Sequence, residues 1–250
     1  MGGRPSTADG TYVRLRPLLA ILVGVLCVVA FVGASTTATA GRACLSDADA
    51  GGYSYAGHQA DSRGHGVRAS ITLTRRPKVG AGHVAGWVGV GGRGQGANGG
   101  DAWVQAGIAS LRGLGTVLYA EITREANERE LVVVDDDVAV GRPYRVAVLE
   151  VADRPGWWRV SVDGVPVTAK VHMQGTSGRW APIATAESWN AGTSACNDFA
   201  FRFEHVVVSA DTRGAWQPFV SGHRFLDGTH ALRDLTATRD RAASFVATST

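Results

Sequence analysis

Between His83 and Ile122 the chain alternates small apolar side chains with polar or aromatic ones in three short runs. The runs are Ala85–Val90, Ala102–Ile108 and Thr116–Ile122, and glycine-rich segments lie between and beside them. Successive side chains of a β-strand point to opposite faces, so a period of two predicts a strand in each run. We expect these strands to lie in one sheet.

The two faces of these predicted strands differ in character. One face is small and aliphatic, and it comprises Val88, Val90, Ala102, Val104, Ala106, Ile108, Leu118, Ala120 and Ile122. The opposite face is aromatic and polar, and it comprises Trp87, Trp103, Gln105, Tyr119 and Glu121. The first face predicts a contact with the core, and the second predicts a surface for a ligand. A solvated outer face with incidental aromatic residues is the alternative.

Short strand patterns continue along the chain. They are Tyr53–Gly57, Val67–Thr74, Tyr144–Val151, Trp157–Val162, Val165–Val171, Pro182–Asn190 and Phe199–Ser209. Turn signals recur at roughly 8–12-residue intervals, and no alternation of strands with helices is visible. The pattern predicts an all-β fold, a two-sheet antiparallel β-sandwich that forms one domain over residues 41–250. In the C-terminal tail, Ala231–Ala243 is compatible with a helix and Phe245–Ala247 with a closing strand.

The first forty residues do not belong to that domain. A basic start with Arg4, Arg14 and Arg16 precedes an apolar run over residues 18–34 and the small-residue sequence Ala38-Thr39-Ala40. This order is typical of a secretory signal peptide, so we expect cleavage after Ala40 and a secreted, extracellular protein. The alternative is an uncleaved membrane anchor, because the apolar run is close to the shortest helix that spans a bilayer, ~17 residues.

Removal of this segment changes the charge of the chain. The full sequence carries a formal net charge of +3, and residues 1–40 contain three arginines and one aspartate. The domain that remains carries +1, so its charge gives no reason to expect a nucleic-acid partner.

Several classes of catalytic site have no support in the sequence. The histidines are scattered without zinc-ligand spacing, and the nucleophile-elbow pattern of serine hydrolases is absent. The glycines of residues 89–94 match a dinucleotide-binding pattern, but a strand rather than a helix is predicted to follow. We therefore expect neither a metal nor another cofactor. The candidates that remain are Gln105 and Glu121 together with Glu187, which shares a predicted strand face with Trp189.

Four short motifs together resemble the glutamic peptidases, or eqolisins. Trp87-Val88-Gly89 is similar to a strand of that family, and Gln105-Ala106-Gly107 is similar to the segment that carries its catalytic glutamine. Ala186-Glu187 resembles the segment with its catalytic glutamate, and Ser54-Tyr55-Ala56-Gly57 resembles its opening motif. The departures are Ser188, where the family has tryptophan, and Ala120-Glu121-Ile122, which keeps only the acid of the family's motif.

The resemblance implies a concanavalin A-like sandwich and a secreted endopeptidase. Glu187 would be the general base that activates water, and Gln105 would stabilise the oxyanion. The residues that would bind the polypeptide substrate are Trp87, Trp103, Tyr119, Glu121 and Trp189. If the strands of Gln105 and Glu187 are neighbours, or have one strand between them, the two side chains are expected to share one water.

A second function is equally compatible with the aromatic face. A noncatalytic secreted sandwich could bind a glycan or a peptide there, because tryptophan rings stack on sugars. The pair Gln105 and Glu187 favours the peptidase, since a binding module does not require it. In either case we expect a monomer with no membrane partner after signal cleavage.

The two cysteines outside the signal segment, Cys44 and Cys196, give the first testable prediction. An even number of cysteines in an exported protein indicates a disulfide, whereas two separate thiols are the alternative. Thiol titration of the unreduced, denatured mature protein should find no free thiol. Two titratable thiols per chain would contradict the pairing.

Overall fold

All the regular elements of the described structure are β-strands. The structure is a computed structural model that describes residues 52–124, 128–193, 195–219, 222–227, 230–235 and 243–250. The strands form two antiparallel sheets. The prediction of an all-β, two-sheet sandwich is confirmed. In these ranges no helix has the length and apolar character needed to cross a membrane.

Some predictions fall on residues outside these ranges. They concern the signal peptide over residues 1–40, the domain boundary at residue 41 and the partner of Cys196, because Cys44 is not described. Export and the disulfide therefore stay predictions.

Sixteen strands are present in the described residues. They are β1 (Tyr53–Ala60), β2 (Gly66–Leu73), β3 (His83–Gly92), β4 (Ala102–Leu111), β5 (Gly115–Arg124), β6 (Glu128–Asp135), β7 (Pro143–Glu150), β8 (Trp157–Val162), β9 (Val165–Pro166), β10 (Val171–His172), β11 (Pro182–Trp189), β12 (Ala200–Ser209), β13 (Trp216–Pro218), β14 (Gly222–Leu226), β15 (His230–Asp234) and β16 (Ala243–Ser249).

The sheet that carries the candidate site, here called the site sheet, has the strand order β14-β1-β11-β3-β4-β5-β6. The other sheet, here called the back sheet, has the order β10-β8-β7-β2-β12-β16-β15, with β13 paired to β12 and β9 paired to β8. The three strands predicted first, β3, β4 and β5, are consecutive in the site sheet. Strand β11, which carries Glu187, lies on the other side of β3.

One apolar core fills the space between the sheets. The nine residues of the predicted aliphatic face all belong to it, and none is more than 2% exposed. The back sheet contributes fully buried phenylalanines, Phe201 and Phe203 of β12 and Phe245 of β16. The rings of Phe203 and Phe245 stack with their centroids 4.5 Å apart. The prediction of the core face from its period of two is confirmed.

One segment differs from its sequence pattern. The helix considered for Ala231–Ala243 is not present over residues 231–234, because these residues pair with β16 as strand β15. Pairing with a neighbouring strand satisfies the backbone here, and the local sequence does not reveal that partner.

A glycine on the inner face of β3 allows the sheets to approach closely. A Cβ added at Gly86 would lie 2.6 Å from Cγ of the Phe201 ring, which is closer than such atoms pack. We expect Gly86→Ala to lower the free energy of unfolding by about 1–3 kcal/mol, because a methyl group would overpack the core. Gly92→Ala, at the end of the same strand, is the control, since its nearest neighbour is a flexible side chain at 3.5 Å. Equal denaturant midpoints for the two variants would contradict this account.

Candidate active site

The outer face of the site sheet holds a cleft of about 400 Å³. Its aromatic lining is Tyr53, Tyr55, His83, Trp87, Trp103, His223 and Phe225, and its charged lining is Arg93, Asp101, Glu121, Arg129 and Glu187. Five residues predicted for the site line it, namely Trp87, Trp103, Gln105, Glu121 and Glu187. The face predicted to bind a ligand is therefore the face that carries the cleft.

The register of the strands places these side chains in rows that run across the sheet. The Gln105 row is Ile183, Gly89, Gln105 and Glu121. The Trp87 row, two residues further along each strand, is Thr185, Trp87, Gly107 and Tyr119. The Glu187 row, two residues beyond that, is Tyr55, Glu187, Ala85 and Ala109.

Gln105 lies on the floor of the cleft and is 6% exposed. Its side-chain nitrogen Nε2 donates a hydrogen bond of 3.1 Å to the Tyr119 hydroxyl. A primary amide carries two N–H donors, so this bond uses one of them. Gly89 is opposite Gln105 on β3, and a Cβ there would lie only 2.8 Å from the Gln105 Cβ. The absence of a side chain at Gly89 thus leaves room for the side chain of Gln105.

Glu121 is the carboxylate directly opposite Gln105, on the next strand. Its Oε1 accepts hydrogen bonds from Trp103 Nε1 at 3.1 Å and from the Thr123 hydroxyl at 3.4 Å, and it lies 3.2 Å from Arg129 Nε. None of the hydrogen bonds found for Glu121 among the described residues involves Oε2. The contacts that hold this carboxylate are therefore made through Oε1.

The environment of Glu121 changes its acidity. Burial raises the pKa of the Glu121 carboxyl above its ordinary value, because the charged form loses solvation. The Arg129 guanidinium opposes that rise in pKa, and the Glu187 carboxylate adds to it. Glu121 therefore takes up a proton more readily than a carboxyl group in water.

Glu187 is held by two ring nitrogens. Its Oε1 lies 3.1 Å from His83 Nε2, and its Oε2 accepts a hydrogen bond of 3.0 Å from Trp87 Nε1. The Glu187 side chain is 9% exposed. Unlike Glu121, it has a partner at each of its two oxygens.

Gln105 and Glu187 lie on the same face but in different rows. Their partners on β3 are Gly89 and Ala85, so the two are separated by four residues along β3 and by that intervening strand. Ideal strand geometry therefore places the Cα atoms of Gln105 and Glu187 about 13 Å apart along the strands and about 10 Å apart across them. Trp87 occupies the row between them and binds Glu187, and Gln105 binds Tyr119 instead. Both side chains thus extend toward the Trp87 row, and the expectation that one water is shared by Gln105 and Glu187 stays a prediction.

Electrostatic coupling nevertheless connects the two ends of the cleft. Burial, and after it the Glu187 charge, holds the pKa of the Tyr119 hydroxyl well above its ordinary value. Tyr119 therefore stays protonated beneath the cleft, where it is only 2% exposed. It does not line the cleft itself, although it was predicted to contact substrate, because it supports Gln105 from below.

Side chains from strands on opposite sides of the site sheet approach each other above the cleft. Arg129 of β6 extends over the Trp103 ring, with its guanidinium carbon 5.8 Å from the ring centroid. The same side chain hydrogen-bonds the Tyr53 hydroxyl of β1 and lowers its pKa, although burial and the Glu187 charge raise that pKa overall. Arg129, Glu121 and Tyr53 thus form a polar bridge across the aromatic face.

Four residues that line the cleft were not predicted for the site from the sequence, namely Tyr53, Tyr55, His83 and Arg129. Two signals were available: His83 continues the alternation of Trp87 on β3, and Tyr53 and Tyr55 lie two residues apart on a strand. Trp189 was assigned to the substrate, but its ring stacks on Tyr53, with centroids 5.9 Å apart, at the end of the cleft. For Arg129 no local signal exists, because its role depends on the pairing of β6 with β5.

The donor set of the cleft does not suggest a metal centre. Among the described residues, no group of three or more histidine, cysteine, aspartate or glutamate side chains could hold a metal ion.

Comparison with known proteins gives matches at the level of structure. No protein-family model matches the sequence. No curated protein matches it. Two solved structures of scytalido-glutamic peptidase, one with a peptide-based transition-state analogue and one with a transition-state analogue inhibitor, are similar with TM-scores of 0.50 and 0.52. They are 12% and 13% identical in sequence, and each match covers 79% of this chain and 98% of the peptidase.

A third similar structure is SCP-B, a member of the eqolisin family of peptidases, in complex with the tripeptide Ala-Ile-His. Its TM-score is 0.50 at 14% identity, and the match covers 78% of this chain and 97% of SCP-B. The likeness extends over most of the described sandwich. It confirms that the chain has the fold of the glutamic peptidases, as the short motifs implied.

The raised pKa of Glu121 predicts how stability changes with pH. A group whose pKa is higher in the folded state stabilises the fold below its unfolded pKa, and this contribution is lost as pH rises through the folded pKa. Glu121→Gln cannot ionise, so wild type should lose stability relative to this variant as pH rises above about 4, near the ordinary carboxyl value. Urea unfolding at several pH values measures the difference. A difference that is constant with pH, or that changes in the opposite direction, would contradict the assignment.

Proposed function

We propose that this chain is a secreted endopeptidase of the glutamic type, which hydrolyses peptide bonds in the cleft of the site sheet. The observation that carries the proposal is the direct pairing of Gln105 with Glu121 on the open face of a fold shared with peptidases. A hydrogen-bond donor and a partly buried carboxylate are the two groups that water-mediated hydrolysis of an amide requires.

Gln105 has the properties of an oxyanion-stabilising donor. Its amide is fixed by the Tyr119 hydroxyl, and its second N–H remains for a substrate carbonyl. A donor that is already oriented does not have to reorganise when charge develops on the carbonyl oxygen. Tyr119, whose raised pKa keeps it neutral, adds no charge that would oppose this development.

The choice of the base depends on the contacts of the two carboxylates. Glu121 lies in the Gln105 row and leaves Oε2 free of the hydrogen bonds described, so a water between it and Gln105 has an acceptor. Glu187, the base implied by the family resemblance, lies two rows away with both oxygens hydrogen-bonded. We assign the base to Glu121 and keep Glu187 as the second carboxylate of the cleft, with the same experiment testing both.

The substrate we propose is an extended polypeptide. The cleft is lined by aromatic rings, and two similar peptidases are known with a peptide-based analogue and with a tripeptide. Binding would displace Arg129 from the bridge above the aromatic face, and Trp87 and Trp103 would then contact the substrate side chains. Action outside the cell follows from the signal-like segment 1–40.

Single substitutions in the purified secreted protein test the proposal with a denatured protein as substrate. Gln105→Ala should lower kcat/KM by about 10²–10³, because it removes the oxyanion donor. Glu121→Gln should lower it by about 10²–10⁴, because it removes the base and keeps the shape. The acid limb of the wild-type pH profile should lie above the ordinary carboxyl pKa, since a base with a raised pKa is protonated sooner on acidification.

Glu187→Gln and Glu204→Gln complete the series. Glu204 belongs to β12 of the back sheet, so its variant should be as active as wild type. A loss of activity in Glu187→Gln on every substrate, with full activity in Glu121→Gln, would return the base to Glu187. Absence of cleavage by wild type at every pH between about 2 and 7, a range around the carboxyl pKa, would leave the noncatalytic binding module.

A further inference from the structure

Another pocket, of about 740 Å³, opens beside the cleft. It lies at the end of the site sheet where β1 and β3 end and β11 begins. We call it the basic pocket, and its ionisable lining is Asp61, Arg63, Arg179 and His223. None of these side chains has a part in the peptidase chemistry proposed above, so the pocket needs a role of its own.

The basic pocket is continuous with the cleft. Gln59 and His223 line both of them. They are paired across β1 and β14, and Gln59 also pairs with Ile183, so they continue the Gln105 row to the edge of the site sheet. Three strand spacings separate the Cα atoms of Gln59 and Gln105, about 14 Å in ideal sheet geometry. A polypeptide with a carbonyl group at Gln105 therefore reaches the pocket after about four extended residues.

Hydrogen bonds hold the walls of the pocket in place. The Gly64 N–H donates a hydrogen bond of 3.0 Å to the Trp180 carbonyl, which joins the segments that carry Arg63 and Arg179. The Trp180 ring is buried, and its Nε1 donates a hydrogen bond of 3.2 Å to the Gln95 carbonyl in the loop between β3 and β4. Three segments from distant parts of the sequence are thus tied together, and the pocket is formed before any ligand binds.

The charges that line the pocket do not balance. Arg63 and Arg179 are both exposed, and the lining contains a single carboxylate, Asp61. Two arginines and one aspartate give a net charge of +1 when His223 is neutral. Because His223 Nδ1 lies 4.0 Å from Asp61 Oδ1, protonation of His223 would add a further positive charge beside that aspartate. None of the ion pairs among the described residues uses either arginine.

The neighbouring charged groups do not supply the missing anion. Glu150 is fully buried behind the pocket wall, where it accepts a hydrogen bond from the Gly178 N–H and lies 2.7 Å from His65 Nδ1. At the adjoining rim of the cleft, Arg93 and Asp101 contribute opposite charges. The two arginines of the pocket are therefore available to an anion that enters from solvent.

We propose that the basic pocket binds a carboxylate of the polypeptide substrate, at least about four residues from the bond that is cleaved. The planar guanidinium group of arginine matches a carboxylate and can donate two parallel hydrogen bonds to it. An acidic side chain and a C-terminal carboxylate offer the same chemistry. That the ligand is a polypeptide rests on the proposed function, whereas the preference for an anion rests on the lining of the pocket.

Equilibrium binding to the Gln105→Ala variant, in which turnover should be slow, tests the pocket. The probes are eleven-residue peptides of glycine and serine, acetylated and amidated, with a central phenylalanine and with glutamate, glutamine or lysine at both ends. Calorimetry at low salt should show the glutamate peptide binding about fivefold more tightly than the glutamine peptide, because exposed charge pairs contribute modestly. The lysine peptide should bind most weakly, and added salt should reduce these differences.

A fourth probe separates the two sources of the carboxylate. It is the glutamine peptide with a free C-terminus in place of the amide. Binding as tight as that of the glutamate peptide would include the C-terminal carboxylate among the ligands. Binding no tighter than that of the amidated glutamine peptide would restrict the ligand to acidic side chains.

Substitutions of the lining decide whether the pocket causes the preference. Arg63→Gln combined with Arg179→Gln should reduce the glutamate preference to less than about twofold, because both guanidinium groups are lost. The matched control is Arg202→Gln combined with Arg233→Gln, two exposed arginines of the back sheet, and it should leave the preference unchanged. Asp61→Asn should increase the preference, since it removes the carboxylate that opposes an anion. A gain in affinity cannot result from loss of folding.

Equal affinities for the glutamate, glutamine and lysine peptides would overturn the proposal. So would binding of no peptide, or a glutamate preference that persists when both pocket arginines are replaced. These measurements do not depend on cleavage. A glutamate preference in a protein without peptidase activity would refute only the proposed activity, and an active peptidase without the preference would refute only the role of the basic pocket.

Discussion

The pairing of β3 with strands on both of its sides is the constraint on which the site depends. A continuous antiparallel hydrogen-bond ladder joins β3 to β11 along one edge and to β4 along the other. Because a shift of one residue would move every side chain of β3 to the opposite face, this register fixes both the core and the cleft. Gly86 and Gly89 are necessary parts of it, since they admit Phe201 on the inner face and Gln105 on the outer face.

The same register separates the two carboxylates of the cleft and gives them different surroundings. Glu121 has an arginine partner, whereas Glu187 is bound by two rings among aromatic neighbours. Two acids on one sheet can therefore have different tasks, because burial, counter-charge and hydrogen bonds decide the behaviour of each. The fold shared with glutamic peptidases supplies the cleft. The residues of this chain decide which chemistry the cleft can support.

Much of the sandwich was predictable from a period of two. The alternation between Ala85 and Ile122 identified the three central strands, the core side chains and the face that carries the cleft. The site was predictable only as a set of residues on that face. Which of Glu121 and Glu187 lies beside Gln105 depends on how β11 and β5 are aligned through the strands between them, and periodicity contains no information about that alignment. The position of Arg129 above Trp103 depends on the same long-range pairing.

The central strands of the site sheet also come from distant parts of the chain. Ser54 of β1 contacts Ser188 of β11 across 134 residues of sequence, and this pair of strands brings Tyr55 next to Glu187. Loops of such length must close before their contacts contribute any stability, which makes sandwich folding slow, on the order of milliseconds to seconds. The hairpin of β4 and β5, with Gln105 and Glu121, is local and has no such delay. During synthesis, the half of the cleft with Gln105 and Glu121 can therefore form early, but the end with Glu187 must wait until residues 182–189 have been made.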